Sequence, residues 1–69
     1  KMNDAKTIGE RLLKLRISEK KTQKEVTEAI GISVSALTMY ETGNRIPRDE
    51  IKVKLAHYYS TSVERLFYA

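Results

Sequence analysis

The sequence of 69 residues predicts an all-α fold, a compact bundle of five helices. Three observations carry this reading. Apolar residues recur at i, i+3, i+4 and i+7 in several separate stretches, and no β-type alternation survives for more than a few residues. Residues that start helices stand ahead of these stretches, and glycine or polar clusters separate several of them. Cysteine is absent and histidine occurs once, so neither disulfides nor the usual zinc sites can replace a packed core. The length allows one domain over 1–69. A core this small depends on good helix packing, with or without a second subunit.

The elements follow in order. Residues 1–6 are polar and are expected to be frayed. Lys1 ahead of Met2 has the look of a residue left by trimming. Thr7 is the expected cap of a first helix whose inward face is Ile8, Leu12 and Leu15, widened by Leu13 and Ile17, and which ends near Glu19. Lys20 and Lys21 link it to Thr22. Thr22 with Glu25 three residues later is a capping box, in which the hydroxyl takes an N–H of the first turn while the carboxylate reaches back. Val26, Ala29 and Ile30 then mark one helix face. Gly31 sits where a helix end requires left-handed φ. Ile32 is expected to plug the core under the turn. Ser33 can cap the next helix, with Ala36, Leu37 and Tyr40 facing inward.

A helix, a glycine-centred turn and a second helix make the helix-turn-helix pattern of DNA-binding proteins. Beyond it, Thr42-Gly43-Asn44 is a turn cluster. Pro47 cannot sit inside a helix, so the fourth helix starts at or just after it, with Asp49 and Glu50 in its first turn, where the helix dipole favours acids. Ile51, Leu55, Ala56 and Tyr59 give its buried face, with Val53 and Tyr58 off it. Ser60 to Ser62 breaks the pattern. Ser62 can cap a short last helix running through Leu66 and Phe67.

Composition narrows the function. A net charge of +4 and a pI near 9.5 favour an anionic partner. Taken alone the charge also fits the ordinary need of a soluble protein, but joined to the helix-turn-helix pattern it counts for much more. The sequence holds no nucleophile–base constellation, no metal cluster and no glycine-rich phosphate loop, so no enzyme and no cofactor are expected. The lone His57 reads as a surface or packing residue. The apolar runs are too short to span a bilayer and nothing reads as a signal peptide, which makes a cytoplasmic location the expectation.

Ordered motifs sharpen this. Ile8-Gly9-Glu10-Arg11 and Leu15-Arg16 are followed by Thr22-Gln23 with Glu25, then by Gly31-Ile32-Ser33 and by Tyr40-Glu41 with Gly43. Arg45, Pro47, Leu55-Ala56, Ser62-Val63-Glu64 and Leu66-Phe67 complete the series. In this order and spacing the chain, over residues 7–68, resembles the Cro/cI-type (Xre-like) helix-turn-helix transcriptional regulators. The resemblance implies a lambda-repressor-like DNA-binding domain that engages double-stranded DNA. It implies that Arg16 pairs with Glu41, where periodicity alone would leave Arg16 a solvated helix residue. It assigns Gln23 to the DNA backbone, with Thr22 and Lys24 beside it, and Thr42, Asn44 and Arg45 to a second backbone clamp, Arg48 being a weaker candidate. For Lys20, Lys21 and Lys24 the ordinary solvated lysine stays an open reading.

Base reading falls by the same resemblance to Ser33, Val34, Ser35, Thr38 and Met39. None of these is Arg, Lys, Gln or Asn, so no bidentate guanine or adenine contact is available. Ser and Thr offer single hydrogen bonds, and Val34, Met39 and the Thr38 methyl suit thymine methyl groups. Shape and water would then supply part of the specificity. A core or dimer role for Val34 and Met39 is the competing reading. The leading expectation is a sequence-specific regulator, a repressor that binds a palindromic operator as a homodimer. The candidate dimer surface is Tyr58, Phe67 and Tyr68, the alternative being that this tail closes the bundle. A protein-interaction module such as an antitoxin or adaptor subunit is the second reading. No small-molecule ligand is expected.

Overall fold

Asp4, rather than Thr7, starts the first helix. Its carboxylate accepts the Thr7 N–H at 2.8 Å. That bond to the backbone holds the Asp4 carboxyl below its ordinary value. A carboxylate three residues upstream out-competes a hydroxyl as cap, so Thr7 becomes a first-turn residue and the segment expected to fray is helical from Ala5. The computed structural model describes residues 3–69, and the two first residues, Lys1 and Met2, lie outside them. The described chain forms α1 (Ala5–Ser18), α2 (Gln23–Ile30), α3 (Val34–Glu41), α4 (Asp49–Tyr58) and a C-terminal π-helix, Glu64–Tyr68. It is all-α, with no strand among the described residues.

The local chemistry places the helix-turn-helix. Thr22 Oγ1 accepts the Glu25 N–H at 3.0 Å, and Glu25 Oε1 accepts the Thr22 N–H at 2.8 Å. The second bond holds the Glu25 carboxyl below its ordinary value. Gly31 ends α2 at φ 76°, and its N–H returns to the Thr27 carbonyl at 2.8 Å. Ser33 Oγ then accepts the Ala36 N–H at 3.0 Å and opens α3. The inward face of α2 is Val26, Thr27 and Ile30, while Ala29 is exposed, contrary to the expected register. Thr27 is tolerated inside because its hydroxyl donates to the Lys24 carbonyl at 3.2 Å.

One apolar cluster joins all five elements: Ile8 and Leu12, Val26 and Ile30, Leu37 and Tyr40, Ile51, Leu55 and Ala56, Leu66 and Phe67. Leu15, Ile32, Ala36, Tyr58, Tyr59 and Val63 are partly buried against it. Ile17 instead points to solvent at 60% exposure, so the stripe of α1 is narrower than its apolar content implies. In the last element Ser62 Oγ accepts the Arg65 N–H at 3.0 Å, but the turn that follows is π rather than α. Its wider winding turns the consecutive residues Leu66 and Phe67 inward together. Phe67 is fully buried, so it closes the bundle and is removed from the candidate dimer surface, whereas Tyr68 is 51% exposed. Lys52, also buried, donates to the Tyr68 hydroxyl at 2.7 Å, and its ammonium lies 4.8 Å from the Tyr68 ring centroid.

α1 packs directly on α3, and Gly9 sets their separation. A Cβ at Gly9 would lie 2.6 Å from the Tyr40 carbonyl oxygen and 2.8 Å from that of Glu41. Both are backbone atoms at the end of α3, so they cannot rotate away. Gly9→Ala gains about 1 kcal/mol of helix propensity but forces the two helices apart. The expected net result is a loss of about 2 kcal/mol, seen as a lower midpoint in urea with an unchanged slope.

Candidate nucleic-acid interface

The end of α3 is tied to both preceding helices by polar bonds. Arg16 Nε donates to Glu41 Oε2 at 2.7 Å and Arg16 Nη2 to Glu41 Oε1 at 3.1 Å, a two-bond fork between α1 and α3. The carboxylate side chain is 4% exposed and the guanidinium side chain 16%. The bonds to Glu41 push the Arg16 pKa further up, so the guanidinium stays charged. Arg16 Nη1 also donates to the Lys21 carbonyl at 3.0 Å, which fixes the α1–α2 link. Half-buried Tyr59 has its phenol pushed up to about 12, first by burial and then by the negative charge of Glu41.

Gln23, at the first turn of α2, joins the same group. Its Nε2 donates to Glu41 Oε1 at 3.0 Å and to Thr38 Oγ1 at 3.2 Å. A single carboxylate therefore holds α1 through Arg16 and α2 through Gln23, and sets how α3 sits on the bundle. Gln23 is half-buried by this arrangement, and its side-chain N–H groups are directed into the protein.

Around this knot lie the exposed groups. On α3, Val34, Ser35 and Thr38 face solvent and Met39 is half-buried, while Leu37, Tyr40 and Glu41 anchor the helix. Ser33 is exposed, and its hydroxyl accepts within the cap and keeps its proton. Val34 is 45% exposed, which places it outside the core. Thr22 and Lys24 are exposed at the start of α2, and the Thr22 hydroxyl, an acceptor within the cap, keeps its proton. Thr42, Asn44 and Arg45 are exposed after α3. Thr42 Oγ1 donates to the Thr38 carbonyl at 2.8 Å and accepts from Asn44 Nδ2 at 3.0 Å, so this turn is held rigid against the helix. Arg48 is exposed and lies 3.9 Å from the carboxylate of exposed Glu50, too loose an ion pair to count. The first N–H groups of α2 and α3 add donors at both helix starts.

Sequence reasoning named these residues but missed two connections. Gln23 and Thr38 are fifteen residues apart, and no local period links them. Gly9 was visible only as part of a motif, with no sign that α3 backbone lies against it.

A solvent-facing short helix with exposed donors and cations around it, set by its predecessor through a glycine turn, is the arrangement of a helix-turn-helix. Residues 12–66 match the family described as helix-turn-helix, and the chain belongs to that family, in its Cro/cI type. Among individual proteins it is similar to the cryptic phage CTXphi transcriptional repressor RstR of Vibrio cholerae, with 37% identity over 59 residues. That match covers 86% of this chain and 53% of the relative, so the chain spans about half the length of the curated protein it matches. No solved structure matches the chain at a significant level. No helix among the described residues is long and apolar enough to cross a membrane.

Proposed function

We propose that this chain is the operator-reading part of a cytoplasmic repressor that binds a palindromic DNA site as a homodimer. The observation that carries the reading is the exposed row Val34, Ser35 and Thr38 on α3, accompanied by two groups of exposed donors, Thr22 and Lys24 at the start of α2 and Thr42, Asn44 and Arg45 after α3. The row supplies base contacts, with Ser33 and Met39 at its edges, and the two groups of donors supply phosphate contacts. The free N–H groups at Gln23 and Lys24 lie at the start of α2 as well. A single eight-residue helix covers little DNA, which favours two copies on half-sites about one turn apart. The repressor name of the Vibrio cholerae relative supports the same direction of control. With Phe67 buried, exposed Tyr68 and half-buried Tyr58 are the members of the proposed dimer surface that can meet a second copy.

The experiment is selection from a random duplex pool at near-physiological salt, with the oligomeric state recorded alongside. A palindrome with half-sites one turn apart is the expected product. No enriched sequence, with only salt-labile binding, would sink the reading and favour a protein partner. Lys24→Ala with Arg45→Ala should then weaken binding to all sequences alike and lower the salt slope by about one for each phosphate contact removed.

A further inference from the structure

We infer that Gln23 is a specificity-positioning residue: by donating to Thr38 it turns the Thr38 hydroxyl into a hydrogen-bond donor toward DNA bases. The inference rests on the DNA-reading function proposed above and concerns how one position of the reading helix chooses its base.

Glu41 fixes which end of the Gln23 amide faces it. Its carboxylate can only accept hydrogen bonds, and it is clamped by Arg16 from the opposite side. The Gln23 atom 3.0 Å from Glu41 Oε1 must therefore be the amide nitrogen, which removes the usual ambiguity between the two ends of the amide. The second hydrogen of that nitrogen is then directed at Thr38 Oγ1, 3.2 Å away. Gln23 Oε1 is at 3.5 Å from the same hydroxyl, the limit of a useful contact, so the shorter bond sets the direction. Thr38 accepts from Gln23 and keeps its own proton. Thr38 is exposed, and apart from the Gln23 oxygen no described residue takes that proton.

The consequence is a polarity. An outward hydroxyl proton suits base edges that accept in the major groove: guanine O6 and N7, adenine N7 and thymine O4. It gives nothing to the cytosine amino group. The same geometry gives Gln23 a role other than a phosphate clamp, because both hydrogens of its side-chain nitrogen are already engaged within the protein.

The test starts from the best site recovered from the random pool. Each base pair of that site is replaced in turn by the other three, and relative affinities are measured for the parent protein, Gln23→Ala, Thr38→Val, the double variant and Gln23→Glu. Ratios within one variant do not depend on how much of it is folded. Thr38→Val should flatten preference at one base pair per half-site, on the order of tenfold for a lost hydrogen bond. Gln23→Ala should flatten the same base pair, and the double variant should do no more than either single one. Gln23→Glu sets a second carboxylate against Glu41, 3.0 Å from its Oε1, so the side chain is driven off Thr38 and the same base pair should flatten as in Gln23→Ala. If Gln23→Ala lowers affinity for every sequence equally and leaves all preferences intact, Gln23 is a phosphate clamp and the inference is wrong. Unchanged preference in Thr38→Val overturns it as well. A parent protein that enriches no sequence removes the DNA-reading function itself, and this inference with it.

Discussion

Phe67→Ala should cost about 3–5 kcal/mol, the largest loss expected from any single truncation in this chain. Phe67 is 0% exposed and lies in the apolar cluster that all five elements share. A chain of this size has roughly 3–10 kcal/mol of total stability. The variant is therefore expected to melt some 15–30 °C lower, or to be unfolded at room temperature. Thermal unfolding followed by circular dichroism decides it. Phe67→Leu separates volume from aromaticity and should lose far less. An unchanged melting point in Phe67→Ala, with loss of self-association instead, would return Phe67 to a dimer surface.

Glu41→Ala is the second. It strands the guanidinium of Arg16, whose side chain is only 16% exposed, and takes the acceptor from Gln23. Removing one partner of a buried pair costs about 3–5 kcal/mol, and the lower end fits here because Arg16 reaches the rim. Replacing both partners by apolar residues, Arg16→Met with Glu41→Leu, should recover most of the loss, since no charge is then left buried. Urea titration of the two singles and the double gives the coupling directly. Singles and double that add without coupling would mean that the fork contributes nothing net. The DNA-binding consequence is separate: the double should keep stability yet lose the base preference that depends on Gln23.

The fold was legible where the signal is local. Thr22 with Glu25, Gly31 and Ser33 are caps written within three or four residues, and the structure uses each in that way. The alternation of Leu12, Val26, Leu37 and Leu55 with polar residues likewise marks the core. Two candidates for one role defeated the same reasoning at the start of α1, where Asp4 and Thr7 both have cap chemistry and the stronger acceptor wins. At Ala29 the apolar side chain was too small to reveal that the register places Thr27 inside. At Phe67 the stretch is shorter than two helical turns, so no period chooses between a dimer surface and a closed bundle, and the π winding turns Leu66 and Phe67 inward together. Within the candidate site, the exposed row on α3 follows from helix geometry. The Arg16–Glu41 pair entered only through the family resemblance, because no sequence period relates residues 25 apart. The contact from Gln23 to Thr38 had no sequence signal at all.

The C-terminal π-helix also governs when this chain can fold during synthesis. Arg11 Nη1 donates to the Leu66 carbonyl at 2.6 Å, and Leu66 and Phe67 complete a core begun by Ile8 and Leu12. The closing contact thus spans 55 residues of sequence. While the ribosome is still holding residues 64–68, helices α1 to α4 can form, but the cluster they surround is open to water. Helices of 8, 8 and 10 residues such as α2, α3 and α4 are marginal alone in water, and the burial that stabilises them is complete only when the last turn docks. A chain that lacked residues 64–68 would be an adhesive, protease-sensitive species, and docking of the last turn converts it into a closed domain.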